Sequence, residues 1–455
     1  MVYIDSIKIY DASQAGSGIG MQLAKGSQSV RVVSILIVTM CQLVFPNNVF
    51  SGGRPEGINI NSAWVGYDLK SGDEQPLTDH GWAFSHLREL LPTVNIPNEP
   101  TNVIPLEGRP VHPSDITILL KGRKLNLDEI AKKYHIRGIA VFKDGKLLVE
   151  GYYDENQRDR PYLMMSMSKS IIGTLASIYV ERGLLDLEKT VAYYLPEMAA
   201  SGWAQDDIRS LLDMRDGSAY DETYNDFSSA LMLHSCSIQW LEGPVCPEDG
   251  PQSSYKFLPT VGRNDSWAGK FVYKSGTVDV VAWVLESISG MTVAELITRE
   301  IWGPIGAEYN ANITVDRGGY ALAMGGMSAT LRDQVRFGQL MLNRGRVGDK
   351  QIAPKHFFDD VINFPGDPDW PYHHSEDSSP YYRSFFWGVG NGEGDFEAIG
   401  INGQIIRAAP KANMVIVLNS AWPREEGQTI TDGWDDGWDM ANSLFASIKD
   451  HFSED

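Results

Sequence analysis

Apolar and polar positions change period twice along this chain. Near residue 137 two short runs of strand character, GIAVFK and KLLVEGYY, flank Asp144-Gly145, a pair that favours a two-residue hairpin turn. Towards the C-terminus a second pair, AIGINGQIIRAAP and MVIVLNSAW, is separated by Lys411-Ala412-Asn413, and the first of these reads as one continuous strand. The roughly 240 residues between the two pairs carry helical periodicity instead. SIIGTLASIYVERG, DIRSLLDMRDG, TVDVVAWVLESISG, TVAELITREIWGPIG and ATLRDQVRFGQLMLNRG are the clearest stretches, and TDGWDDGWDMANSLFASIKDHF adds one more amphipathic helix at the end. Strands at both ends with helices between predict an α+β fold. An antiparallel sheet lobe is built from 136–165 and 380–455, and a helical lobe from about 166–379, with a cleft between them as the natural site.

Composition narrows the function classes. The 455 residues are 43% hydrophobic, enough for a large core. A net charge of −20 argues against nucleic acid or an anionic membrane as the main partner, because both call for a basic face. Three cysteines show no zinc spacing, and the adjacent His373 and His374 lack the i,i+3 or i,i+4 spacing of a helical metal pair, so they read as solvent-exposed. No metal or cofactor is expected. GSGIG at residues 16–20 follows no convincing strand and is set aside as a phosphate loop.

The N-terminal part reads separately. VVSILIVTMCQLVF, residues 32–45, follows Lys25 and Arg31 and ends at Pro46. It is short for a membrane span, which needs about 17–25 residues, and suits the apolar core of a secretory signal cleaved before Gly52. Residues 1–51 are therefore an extension with a signal peptide, Met21 is an alternative start, and a buried strand or core helix is the competing reading. Removal would leave Cys236 and Cys246, an even pair that an oxidising compartment could bridge, in a periplasmic or secreted protein with no stable membrane insertion; the alternative is a cytoplasmic one. Residues 52–135, rich in Pro, Gly and Asn, read as an extended lead-in wrapping over the body, ahead of the main domain at 136–455.

One stretch carries candidate chemistry. In YLMMSMSKSIIGTLASIYV, Lys169 is the single charge, and the apolar positions after it describe a helix buried on most sides and closed by Gly183. Ser166 falls at the N-terminus of that helix, with Lys169 one turn on and on the same face. The helix dipole and burial both push such a lysine towards the neutral amine, which is what a serine hydroxyl needs in order to lose its proton. A serine at a helix N-terminus also offers its own N–H to a developing oxyanion. The plainer alternative is an N-cap serine followed by a snorkelling lysine.

Ser166-Met167-Ser168-Lys169 resembles the nucleophile motif of the serine β-lactamase and penicillin-recognising superfamily, particularly its class C branch with esterases and 6-aminohexanoate-dimer hydrolases. DIRSLLDMRDGSAYDETY, FVYKSGTVDVVAWVLESISG, GGMSATLRDQVRFGQLMLNRG and AIGINGQIIR are similar to later landmarks of the family in the same order, over roughly residues 136–450. The resemblance implies the fold of that superfamily, an antiparallel sheet flanked by helices plus a large helical lobe. It implies Ser166 as the nucleophile forming an acyl-enzyme, with Lys169 and Tyr273 flanking its hydroxyl, either of them the general base. It implies a second oxyanion donor at the backbone N–H of Gln404, after Gly403. Tyr220 resembles a loop tyrosine that closes over a linear substrate, and Phe386 and Trp387 are candidates to line the acyl pocket.

Departures from the penicillin-binding pattern bear on substrate. Where β-lactamases carry Lys-Thr-Gly or a similar cationic triplet, this chain reads Ile401-Asn402-Gly403, without the charge that would hold a β-lactam carboxylate. Ser275 replaces the more usual Asn two residues after the tyrosine. The expectation is a serine hydrolase of small linear amides or esters, like the 6-aminohexanoate-dimer hydrolases or a carboxylesterase. Competing readings are a β-lactamase or D,D-peptidase, and a non-catalytic binding protein of the same fold.

Overall fold

The computed structural model describes residues 80–154, 156–224, 226–372, 378–422 and 432–453. The signal-like segment, the GSGIG run and His373-His374 lie outside them. A seven-stranded antiparallel sheet forms the main lobe, in the order β11-β12-β13-β14-β15-β4-β5. Its N-terminal hairpin is β4 (Ile136–Lys143) and β5 (Lys146–Tyr152), joined by Asp144 and Gly145, whose φ angles of 49° and 81° are those of the expected turn. After a small separate hairpin, β9 (Arg346–Val347) with β10 (Lys350–Gln351), the C-terminal part supplies β11 (Tyr381–Arg383), β12 (Phe386–Gly388), β13 (Phe396–Gly400), β14 (Gln404–Ala409) and β15 (Met414–Ser420). Pairing of β15 with β4 closes the sheet between the two ends of the lobe.

One expected strand proves to be two. AIGINGQIIR folds back at Ile401-Asn402-Gly403, where Asn402 and Gly403 take φ values of 62° and 81°, and β13 pairs antiparallel with β14 from Gly400–Gln404 outward. An Asn-Gly pair reaches these positive angles at little steric cost, so local turn chemistry overrides the apolar run around it.

Both faces of the sheet are covered. Ile405, Met414, Ile416 and Leu418 pack with Met440, Leu444, Phe445 and Ile448 of the C-terminal helix and with Ile118, Leu120 and Ile130 from the lead-in. Residues 80–135 are thus more than an extended wrap. They supply β1 (Thr93–Ile96), the hairpin β2 (Thr117–Leu120) and β3 (Arg123–Asn126), and a helix at Leu127–Lys133 whose Asn126 and Glu129 form a reciprocal capping box.

Against the other face lie helices α1 (Met167–Glu181) and α2 (Leu331–Leu342). Gly338 in α2 would place a Cβ 2.4 Å from Val415, so the missing side chain lets that helix sit on the sheet. A second, four-stranded sheet, β1-β7-β8-β6, stands within and beside the helical lobe, where no strand was expected; β6 is Tyr162–Leu163, β7 Ala311–Thr314 and β8 Met327–Ala329. Strands of two to four residues leave too little alternation to be read from a pattern.

Candidate active site

Ser166 stands at the corner where β6 turns into α1. The corner requires Met165 to adopt a φ of +49°, which costs a non-glycine residue on the order of 1–3 kcal/mol. Surrounding bonds hold it there. The Met164 N–H donates to the Met327 carbonyl at 2.8 Å, and the Met165 carbonyl accepts from the N–H and hydroxyl of Ser168 at 3.0 and 2.7 Å. Ser168, the third residue of the Ser-x-x-Lys motif, thereby pins the turn. Ser166 occupies the N-cap without using its side chain as a cap, so its hydroxyl is left for Lys169.

Lys169 Nζ lies 2.7 Å from Ser166 Oγ and donates to the Met324 carbonyl at 2.5 Å. The side chain is 1% exposed. Burial pushes its amine down to about 8, against the opposing pull of Glu222 and Asp279. With that value about one molecule in ten carries a neutral amine at pH 7.

Tyr273 stands beside both, with Lys169 Nζ 5.2 Å from its ring centroid. Burial and then the negative charge of Glu222 drive its phenol well above the ordinary tyrosine value, and only the Ser166 hydroxyl pulls the other way. Lys274, the cation next in sequence, offers no relief. It is wholly buried with Nζ on Asp216 at 3.0 Å, and Asp216 also accepts the hydroxyl of Thr277 at 2.9 Å. That pair ties down the first turn of helix α3 (Ser275–Ser289), at whose entrance Tyr273 stands. Tyr273 is therefore held as a neutral phenol.

Glu222 had no signal in the sequence beyond one acid in the polar loop AYDETY. The fold brings it to the site, where Oε2 and Oε1 accept the Ser275 N–H at 2.5 Å and its hydroxyl at 2.9 Å, and Oε1 also accepts the Tyr224 hydroxyl at 2.9 Å. Burial raises its carboxyl, with Lys169 and these donors opposing. Ser275 thus meets the recess through a bond to an acid. A small recess opens beside Ser166, lined by Ser275, Tyr224, Leu231, Trp240, Leu322, Met324 and Ile401 among others.

Tyr220, Asn402 and Gly403 take other partners. Tyr220 does not close over the site: it is 0% exposed, its ring fills the space left by Gly276, and its hydroxyl meets His234 Nδ1 at 3.1 Å. Tyr224, four residues on, is the tyrosine that lines the recess. Gly403 faces the other way, since a Cβ there would lie 2.3 Å from the Trp422 indole. Asn402 donates to the Trp422 carbonyl at 3.2 Å, and the Gln404 side chain is tied to Ser420 by Nε2 donating at 2.6 Å and Oε1 accepting at 3.2 Å. The glycine that lets the sheet approach the nucleophile is Gly400, where a Cβ would sit 2.4 Å from the Met164 carbonyl, and Ile401 after it lines the recess. The triplet Ile401-Asn402-Gly403 forms the turn between β13 and β14, where a continuous strand was expected.

The two aromatic neighbours on β12 separate by strand alternation. Phe386 packs in the core with Phe357, Phe358 and Phe396, whereas half-buried Trp387 lies 5.4 Å from Tyr273 and contacts Phe271, Trp370 and Tyr372. Cys236 and Cys246 form a disulfide.

A strand-to-helix serine, a lysine one turn on and a tyrosine at the entrance of a second helix are thus brought together. The family model "Beta-lactamase" matches residues 124–435, and the chain belongs to that family. It is 30% identical over 362 residues to the 6-aminohexanoate-dimer hydrolase of Paenarthrobacter ureafaciens, covering 78% of this chain and 88% of that one. Among solved structures, a Bacillus anthracis protein provisionally named as a 6-aminohexanoate-dimer hydrolase aligns with a TM-score of 0.72 at 24% identity, over 83% of this chain and 95% of that one. EstCE1, a hydrolase with promiscuous acyltransferase activity, aligns with a TM-score of 0.52 at 15% identity, over 67% and 95%. The α+β fold is that of the family.

Proposed function

We propose that this protein is a serine hydrolase that cleaves small linear amides or esters through an acyl-enzyme on Ser166. The observation that carries the reading is the buried Lys169 amine 2.7 Å from the Ser166 hydroxyl, with the Tyr273 ring 5.2 Å from that amine. Roles follow from proton affinity. Lys169, brought down to about 8, takes the Ser166 proton as its oxygen attacks the carbonyl carbon. Tyr273, held protonated, donates to the departing oxygen or nitrogen and is recharged from the lysine ammonium. The N–H groups of Ser166 and Ile401 are the proposed oxyanion donors, in place of Gln404. Water then hydrolyses the ester to Ser166, with the same two residues exchanging the proton in reverse.

The recess supports neutral substrates: its lining is apolar apart from hydroxyl groups, and the charged groups bearing on it are Lys169 and Glu222. The relative from Paenarthrobacter ureafaciens, named for an amide substrate, supports the amidase side of the reading. The Cys236–Cys246 bridge supports a periplasmic or secreted location.

The test is intact-protein mass spectrometry after incubation with p-nitrophenyl acetate. Wild type should gain one acetyl group, and Ser166→Ala none, with turnover reduced by about a thousandfold or more. An identical adduct on both proteins would refute Ser166 as the nucleophile.

A further inference from the structure

Behind Lys169 runs a chain of buried polar groups that acylation leaves unused. The Met324 carbonyl accepts from Lys169 Nζ at 2.5 Å, and the N–H of the same residue donates to Asp279 Oδ1 at 2.9 Å. The other oxygen of Asp279 accepts the Ser254 hydroxyl at 3.3 Å and lies 3.8 Å from His234 Nε2, which is itself 2.9 Å from Ser254 Oγ. His234 Nδ1 ends the chain on the Tyr220 hydroxyl. Asp279, His234 and Tyr220 are 0% exposed and Ser254 is 1% exposed, so this Ser–His–Asp grouping has no access for a substrate and is no second nucleophile.

We infer that Asp279 is a positioning residue for Lys169. It holds the Met324 backbone by its N–H so that the carbonyl on the other side of the same Cα fixes the amine against Ser166, and the Asp279 carboxylate adjusts that amine's affinity for a proton. The inference rests on the acyl-enzyme reading above.

The physical argument has two parts. First, a buried amine on a flexible four-carbon stem has several rotamers, and only one places Nζ within hydrogen-bond reach of Ser166. The Met324 carbonyl selects that rotamer, and Met324 lies between Leu322 and Gly325 in the recess wall, so its peptide needs an anchor from behind. Asp279, projecting from the second turn of α3, is that anchor, and α3 is also the helix that begins at Ser275.

Second, the groups facing Asp279 leave Lys169 as its counter-charge. His234 is driven down to about 3 by burial and stays neutral, Tyr220 and Tyr255 are neutral phenols, and Asp316 repels it. Burial holds Asp279 up to about 7, close to the value of about 8 at Lys169, so the two groups exchange charge within the working pH range. An ionised Asp279 favours the ammonium form of Lys169; removing its charge favours the amine.

The test uses the whole protein and the pH dependence of kcat/KM with a neutral p-nitrophenyl ester. Asp279→Asn keeps an acceptor for the Met324 N–H and loses the charge. It should move the acid limb down by about one pH unit, a shift that a merely structural residue would not produce. Asp279→Leu removes the anchor as well and should lower kcat by about tenfold or more, with KM changing much less. An Asp279→Asn limb at the wild-type position, or wild-type kcat in folded Asp279→Leu, would overturn the inference. If Asp279→Leu does not fold, as read by circular dichroism, the Asp279→Asn limb alone decides. A wild-type adduct on Ser166 combined with an unmoved Asp279→Asn limb rejects this inference and leaves the acyl-enzyme reading standing, whereas the lack of any adduct on wild type removes both.

Discussion

At the residue scale the balance between burial and pairing decides which group is the base. Lys169 is desolvated with two carboxylates pulling against that effect, and the outcome near 8 leaves a usable fraction of amine. Tyr273 is desolvated beside a carboxylate that repels the phenolate, so both of its main influences act in one direction. This gives a sign to the pH profile. The amine is the active form, so kcat/KM should rise about tenfold per unit at low pH, bend near 8 and level off above it. A limb near the ordinary lysine value of about 10.4 would show that burial does not lower this amine, and Lys169→Ala would then have to decide whether it is the base. Lys169→Ala should cost about a hundredfold to ten-thousandfold in kcat, measured by stopped assay at the plateau pH. The sequence disclosed Ser166 and Lys169 because three-residue spacing on a helix fixes their meeting in advance. It did not disclose Glu222 or Asp279, whose roles depend on where a loop and a second helix arrive in space.

At the element scale the site is set by close approaches that single glycines permit. Gly400 ends β13 against the Met164 carbonyl, and Gly403 closes the turn against Trp422. Their substitutions should separate function from stability. Gly400→Ala forces the end of β13 away from the Ser166 corner, so kcat should fall more than about tenfold through a misplaced Ile401 N–H. Gly403→Ala meets the Trp422 indole with a φ of 81°, so it should lower stability by about 1–3 kcal/mol in urea unfolding and leave kcat of the folded fraction near wild type. The reverse pattern would return the oxyanion donor to the Gln404 end of the turn. Asn402-Gly403 was the strongest short-range hairpin signal available in that region, and the surrounding apolar residues masked it. The long helices were legible because their apolar stripes run for three or four turns; β6 and β8, with two and three residues, had no period to display.

At the scale of the whole molecule, 59 acidic residues against 39 basic ones surround a recess whose nearest charges are Lys169 and Glu222. Lys169 is buried and engaged with Ser166 and Met324, so a substrate carboxylate would meet the field of Glu222 and of the protein's excess negative charge. Neutral acyl donors should therefore outpace anionic ones of the same length. We expect p-nitrophenyl butyrate to exceed the singly charged p-nitrophenyl succinate by about tenfold or more in kcat/KM at low ionic strength. The two sources of repulsion can be told apart. At 1 M salt the screening length falls to about 3 Å, which removes the diffuse contribution of distant surface charges and spares a carboxylate at the wall of the recess. Glu222→Gln keeps one acceptor oxygen for the Ser275 and Tyr224 hydroxyls, gives up the one that meets the Ser275 N–H, and should narrow the remaining ratio several-fold, an effect read within one variant so that any change in Lys169 cancels. A ratio near one in the wild-type protein at low salt would mean that the anion finds a cation in the site, and would bring the penicillin-type substrates back into consideration.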